Sequence, residues 1–123
     1  MSKRNIVHIE IPSRDAGESG EFYQKLFGWK ITPYPEMNYT TWEAGAAPGG
    51  GFSPLDGVTK PGEILIHVDS PDIEADLKKA VKLGGTVVRE KTEIPKTGWF
   101  GVFRDPTGNM IALYTSLDPD FNQ

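Results

Sequence analysis

Two titratable side chains, His8 and Glu10, stand two residues apart in the β-branched segment 6–11. Alternate side chains of a β-strand point to opposite faces, so His8 and Glu10 share one face and their apolar neighbours share the other. Histidine titrates near neutral pH, and a nearby carboxylate can exchange protons with it, so the pair is suited to general acid–base catalysis. We therefore treat His8 and Glu10 as the candidate catalytic residues. A purely structural hydrogen-bonded pair is the alternative.

Aromatic residues are concentrated on segments that are predicted to form the later strands of the sheet. Flat aromatic side chains often line pockets for planar or apolar organic molecules. The candidate ligand-binding residues are Trp42, Phe52, Trp99, Phe103 and Tyr114, together with His67 in the predicted strand 63–68. The alternative is that most of these aromatics pack in the core. The pattern favours a small organic ligand as the partner.

An internal repeat divides the chain into two similar halves. An offset of 57 residues places Ile9 on Ile66 and Gly28 on Gly85. Each half begins with a strand and continues with an amphipathic helix that ends at glycine, which in the second half is the pair 84–85. Two such halves can close around one shared cavity, where we expect a ligand to bind.

Several segments between these elements are predicted to be irregular. The glycine-rich segment 45–51 is expected to be a loop that leads into a short strand at Phe52. Residues 56–62 are expected to form the hinge between the halves. The residues after Leu117 are expected to form a loose tail.

Length and composition exclude several classes of protein. The 123 residues are predicted to form a single domain, with a net charge of −4 that argues against a nucleic-acid-binding surface. The absence of cysteine excludes disulfides and thiolate metal sites. No apolar run approaches the roughly 20 residues that cross a bilayer, and no signal peptide is visible, so we expect a cytoplasmic protein with no membrane partner.

The order of these elements resembles the vicinal oxygen chelate superfamily, which includes glyoxalase I, bleomycin resistance proteins and extradiol dioxygenases. The resemblance covers nearly the whole chain and rests on the strand 6–11, the helix residues Phe22-Tyr23 and Leu26-Phe27-Gly28-Trp29, the pair Gly84-Gly85, and the segment 103–109. It implies an α+β fold of two βαβββ modules, about 5–57 and 62–116, that form a curved mixed sheet around a cavity. It also implies a homodimer.

The resemblance also implies where a divalent metal such as Zn, Ni, Mn or Fe would bind, because ligands in the family come from the first and last strands of each module. Carried over to this sequence, the two first-strand positions fall on His8 and Glu63. The two last-strand positions fall near Gly50 or Gly51 and on Ala112, whose side chains cannot bind a metal. Since zinc sites usually use three or four protein ligands, we expect no tightly bound metal cofactor.

The sequence is therefore compatible with two functions. The first is a small-molecule-binding enzyme, a lyase, isomerase or dioxygenase that uses His8 and Glu63 with a metal. The second is a non-catalytic protein that sequesters a ligand, as bleomycin resistance proteins do. The lack of a carboxylate at Ala112 favours the second function.

Overall fold

A computed structural model describes residues 3–55 and 60–122 of the chain. Their strands are β1 Ile6–Ser13, β2 Lys30–Tyr34, β3 Tyr39–Glu43, β4 Gly49–Pro54, β5 Leu65–Asp69, β6 Thr86–Ile94, β7 Gly98–Arg104 and β8 Met110–Ser116. The helices are α1 Ala16–Phe27 and α2 Ile73–Lys82, with a single 3-10 turn at Pro35–Met37. Neither of the two α-helices in this part of the chain is long and apolar enough to cross a membrane.

The chain divides into two compact units, each with one helix and four strands. Module one comprises Val7–Leu65, and module two comprises residues 66–122 together with 3–6. Module one has the strand order β2-β3-β4-β1, in which β1 and β4 are parallel and the other pairs antiparallel. Module two has the order β5-β8-β7-β6, in which β5 and β8 are parallel and the other pairs antiparallel. These connections confirm the predicted α+β fold of two βαβββ modules.

The two helices begin with the same set of contacts, so the 57-residue repeat extends to individual hydrogen bonds. Asp15 and Asp72 are the N-cap residues, and each carboxylate accepts a hydrogen bond from the backbone N–H three residues on, at 3.1 and 3.0 Å. The hydroxyls of Ser13 and Ser70 in turn accept from the backbone N–H of the two aspartates, at 3.1 and 3.2 Å. Capping of this kind fixes where each helix starts.

The two helices end differently. Gly28 adopts a left-handed conformation (φ 75°) directly after α1, as predicted. In module two the left-handed residue is Gly84 (φ 104°), so the expected match between Gly28 and Gly85 is off by one residue. Gly85 is required for a different reason, because a Cβ atom there would lie 2.6 Å from the carbonyl oxygen of Arg104. Close packing of the chain, and not a positive φ, excludes a side chain at this position.

The glycines at 49–51 lie in a strand, which corrects the prediction of a loop. Consecutive glycines show no alternation of apolar and polar side chains, so a sequence pattern does not reveal a strand there. A Cβ atom on Gly50 would lie 1.8 Å from the carbonyl oxygen of Ile9, and one on Gly51 would lie 1.9 Å from the Tyr39 hydroxyl. The glycines therefore let β4 lie close to its neighbours β1 and β3.

Three further expectations concern the hinge between the halves, the start of β5 and the C-terminal tail. Residues 56–59 of the expected hinge lie outside the described residues. Glu63 precedes β5 in a turn, where its backbone N–H donates to the carbonyl oxygen of Lys60 at 2.9 Å. The expected loose tail is instead held in module two, because the side-chain amide of Asn122 donates to Asn5 at 2.7 Å and to Asp69 at 2.9 Å.

Candidate functional site

A cluster of three polar side chains lies in module one. The Tyr39 hydroxyl donates a hydrogen bond to Glu10 Oε2 at 2.8 Å. His8 Nε2 lies 2.9 Å from the same hydroxyl and 3.1 Å from Glu10 Oε2. All three side chains are partly buried. The structure thus brings the two predicted catalytic residues together and adds a third titratable group.

The strands of module one place this cluster on one face of the sheet. Glu10 pairs with Gly51 across β1 and β4, and Thr41 pairs with Gly51 across β3 and β4. Side chains of paired residues point to the same face, so Glu10 and Tyr39 share the face on which Gly51 leaves an open position. A side chain at Gly51 would collide with both polar groups. The glycine is therefore what allows the cluster to form.

Protonation of the cluster follows from its geometry. The Tyr39 proton is directed at Glu10, so a hydrogen on His8 Nε2 is needed to join His8 to both partners. Burial, followed by the charge of Glu10 and its hydrogen bond, raises the pKa of Tyr39 well above its usual range. Tyr39 is therefore a neutral hydrogen-bond donor at physiological pH, and Glu10 is the acceptor of the cluster.

The corresponding face of module two carries His67, Ala112 and Tyr114. His67 pairs with Ala112 across β5 and β8, and both residues are buried. The Tyr114 hydroxyl lies 3.4 Å from the carbonyl oxygen of Thr97, and burial raises the pKa of Tyr114 despite a smaller opposing effect of the Ser116 side chain. The ring of Phe121 packs edge-on against Tyr114, with 5.4 Å between the centroids. Tyr114, predicted to bind ligand, is thus partly covered by the C-terminal segment.

Two of the predicted ligand-binding aromatics, Trp42 and Phe52, lie instead in the core of module one. Only 4% of Trp42 and 3% of Phe52 is exposed. Trp42 stacks on Trp29 with 4.4 Å between the ring centroids, and Phe52 stacks on Tyr23 of α1 at 6.0 Å. The physical reason is strand parity, because Trp42 pairs with Gly50 and therefore faces the helix, opposite to the cluster.

Trp99 and Phe103 also face the helix, in this case in module two. Both pack against the buried cluster of Ile73, Leu77 and Leu113. They are only half-buried, and the ammonium of Lys91 lies 5.1 Å from the centre of the Trp99 ring. Their main contacts are therefore with the core, and they lie outside the candidate site.

The family's metal-binding positions do not form a suitable set of ligands. The register identifies Gly51, and not Gly50, as the last-strand residue that shares the face of His8 in module one. Neither Gly51 nor Ala112 can supply a ligand atom. Across residues 3–55 and 60–122, no three His, Asp or Glu side chains are grouped so that they could hold a metal ion. The residues that are present therefore do not fit a resident divalent metal.

Tyr39 is the residue that the sequence analysis missed. It lies 29 residues from Glu10, and no spacing rule connects the two. The signal that could have found it is parity, since Tyr39, Thr41 and Glu43 alternate along β3 and share a face with the open position at Gly51.

The sequence as a whole matches a known family. Residues 7–114 match the family model described as "Glyoxalase-like domain". The chain belongs to this family. It is 37% identical over 85 residues to the "Putative glyoxylase CFP32" of Mycobacterium tuberculosis and to that of Mycobacterium bovis. The match covers 68% of this glyoxalase-like domain but only 31% of the relative, so the chain spans about a third of that protein.

Two solved structures share the fold of this glyoxalase-like domain. A glyoxalase/bleomycin resistance protein/dioxygenase superfamily member from Vibrio splendidus has a TM-score of 0.66 at 13% identity, covering 91% of this chain and 98% of the other. Methylmalonyl-CoA epimerase from Mycobacterium tuberculosis has a TM-score of 0.67 at 15% identity, with 92% and 88% covered. At these identities the likeness concerns the fold alone.

Proposed function

We propose that this glyoxalase-like domain binds a small organic molecule through the His8–Glu10–Tyr39 cluster. The observation that carries the proposal is that three titratable groups share hydrogen bonds of 2.8 to 3.1 Å on one face of module one. Their side chains stay partly exposed, at 29% for His8 and 16% for Glu10, so a ligand can reach them.

The hydrogen-bond acceptor that the cluster leaves unused indicates which ligands it would recognise. Both intramolecular hydrogen bonds to Glu10 end on Oε2, and Oε1 accepts none from the described residues. A carboxylate oxygen in a partly buried site binds best to a hydroxyl, amide or ammonium group that donates a hydrogen bond. We therefore expect a ligand with at least one donor group beside an organic body.

Binding can be tested with a screen of small hydroxylated and amine-containing compounds by thermal shift, followed by calorimetry on any hit. Glu10→Gln weakens a charge-assisted hydrogen bond, so affinity should fall about tenfold or more. The matched control is Glu21→Gln, which removes the same charge from the exposed surface of α1, where Glu21 pairs with Lys25. Equal affinity of Glu10→Gln, Tyr39→Phe and the parent protein for the hit would refute the proposed site.

The cluster could also transfer a proton, which is our second candidate function. The contact between His8 and Glu10 supports it, because the two groups can exchange a proton at 3.1 Å. A lyase or isomerase reaction on a carbonyl compound would begin with removal of a proton from the carbon beside the carbonyl group. The protein is incubated in D2O with candidate carbonyl compounds, and NMR follows the exchange of hydrogen for deuterium at that carbon. We expect the protein to accelerate this exchange. Exchange that is unchanged in Glu10→Gln and His8→Gln would exclude these residues as the base.

We propose that neither activity depends on a resident metal. The support is the donor set, since the family's last-strand positions are Gly51 and Ala112, and only His8 and Glu63 remain. Metal analysis of the purified protein should find less than one equivalent of Zn, Ni, Mn and Fe together. A stoichiometric metal that is lost in His8→Gln would overturn this proposal.

We further propose that the protein is a homodimer. Three apolar side chains of α1, Phe22, Leu26 and Phe27, are each more than half exposed, and burial against a second copy would remove them from water. Light scattering at high micromolar concentration should give twice the monomer mass of 13.6 kDa. A monomer mass under these conditions would contradict the proposal.

A further inference from the structure

A cavity of about 310 Å³ lies in module two at the C-terminal end of α2, and we call it the α2 pocket. It lies on the helix-facing side of the module-two sheet. Its apolar wall consists of Ala80, Leu83, Phe103, Pro106 and Leu113. The volume is at the small end of the range of pockets that bind small molecules, so it fits a body of about one ring.

Two carboxylates line the pocket, but both are already bound by other groups. Asp105 Oδ1 accepts backbone N–H hydrogen bonds from the three residues 107–109 at 2.9 to 3.0 Å, and the pKa of Asp105 is lowered chiefly by the one from Asn109. Asp76 accepts from the Ser70 hydroxyl at 2.6 Å and forms a bidentate ion pair with Arg4. Both carboxylates therefore already have partners within module two.

One cation that lines the same pocket keeps unused hydrogen-bond donors. The Lys79 ammonium makes no hydrogen bond or ion pair with any residue that the structure describes, although its charge acts on Asp76. Arg104 also lines the pocket, but strand alternation directs its side chain to the opposite face from Phe103, and its guanidinium donates to the carbonyl oxygen of Gly108 at 2.7 Å. The pocket thus combines an apolar wall with one unpaired ammonium group.

We propose that the α2 pocket binds a small organic anion, a carboxylate carried on an apolar body of about one ring. The carboxylate would accept hydrogen bonds from the Lys79 ammonium, while the apolar body would lie against Leu83 and Phe103. The unpaired Lys79 ammonium decides the sign of the ligand, because Asp76 is ion-paired with Arg4 and Asp105 accepts the hydrogen bonds of its own turn. The site lies in module two and is independent of the cluster in module one.

The test uses three probes that differ only in their head group: 4-phenylbutyrate, 4-phenylbutan-1-ol and 4-phenylbutylamine. Each is titrated into the ¹⁵N-labelled full chain and followed by two-dimensional NMR. We expect the carboxylate to shift the backbone amides of Ala80, Leu83 and Phe103 and to bind at least about fivefold more tightly than the alcohol. The amine should bind most weakly. Amides of His8 and Tyr39 should not move, which separates this site from the cluster.

Two lysine variants on α2 make the test specific. Lys79→Gln should reduce the affinity for 4-phenylbutyrate about fivefold, to that of the alcohol. Lys82→Gln removes the same charge from the same helix but does not line the α2 pocket, so it should bind like the parent protein. An equal loss in both variants would mean attraction by overall charge and would overturn the proposal. So would shifts confined to other residues, or none at millimolar carboxylate.

Discussion

Module one and module two carry different chemistry on equivalent strands. Glu10 of β1 is opposite Gly51, and its carboxylate bonds to Tyr39 and His8. His67, at the equivalent position of β5, is opposite Ala112, which is fully buried. Module one thus has the pair Glu10 and Gly51 where module two has the pair His67 and Ala112.

The helix-facing sides of the two modules are more alike. Both helices start with the same Ser and Asp hydrogen bonds, and both pack against their sheets through apolar and aromatic residues. Packing of a helix on a sheet constrains side-chain volume closely, while the opposite face can change with little cost to stability. The comparison teaches that the repeat describes the scaffold, and that the site we propose lies where the repeat fails.

The largest expected effect concerns the tryptophans at equivalent positions of the repeat, Trp42 and Trp99. Trp42→Ala removes a buried ring that stacks on Trp29 and donates to the carbonyl oxygen of Gly51 at 3.1 Å, so the free energy of unfolding should fall by about 3–5 kcal/mol. Trp99→Ala should cost about 2 kcal/mol, because that ring is only half-buried. Urea unfolding followed by circular dichroism measures both. A larger loss for Trp99→Ala would break this ranking.

The next effect concerns the tyrosines Tyr39 and Tyr114. Tyr39→Phe leaves Glu10 without one of its hydrogen bonds and should lower the free energy of unfolding by about 1–2 kcal/mol at neutral pH. Tyr114→Phe removes a 3.4 Å contact to the carbonyl oxygen of Thr97 and an interaction with the Ser116 side chain, and should cost less than about 0.5 kcal/mol. Equal losses in the two variants would show that the cluster adds nothing to stability.

The raised pKa of Tyr39 also predicts how the stability of the protein changes at alkaline pH. The pKa of Tyr39 is raised in the folded protein, so above about pH 10 the unfolded chain loses a proton that the folded protein keeps. Unfolding is then favoured, and stability should fall by up to about 1.4 kcal/mol per pH unit from this residue. Tyr39→Phe should flatten the dependence of stability on pH above 10, measured by urea unfolding in a series of buffers. An unchanged slope would contradict the assigned environment of Tyr39.

The smallest difference is expected at the two N-caps. Asp15→Ala and Asp72→Ala each remove a carboxylate that accepts a hydrogen bond at 3.1 or 3.0 Å. Each should lower the free energy of unfolding by about 1 kcal/mol, and the two values should agree within about 0.5 kcal/mol. The double variant should show the sum, provided that the caps act independently. A difference of more than about 0.5 kcal/mol between the two losses would show that the helix starts of the two modules are not energetically equivalent.

Much of the scaffold could be predicted from the sequence. Alternation placed His8 and Glu10 on one face of β1, and the 57-residue offset predicted two modules of the same kind. These features are local, because strand parity and helix capping depend on residues a few positions apart. The end of α1 at Gly28, which adopts a left-handed conformation, belongs to the same class.

The tertiary structure decided the rest of the site. Whether Trp42 faces a ligand or a helix depends on its pairing with Gly50, and no local pattern in β3 or β4 fixes that register. The glycines of β4 have no hydrophobic side chains to mark them as a strand, and Tyr39 meets Glu10 only because β4 brings β1 and β3 close together. Contacts between distant segments require the packed sheet, so sequence spacing alone could not find the third member of the cluster.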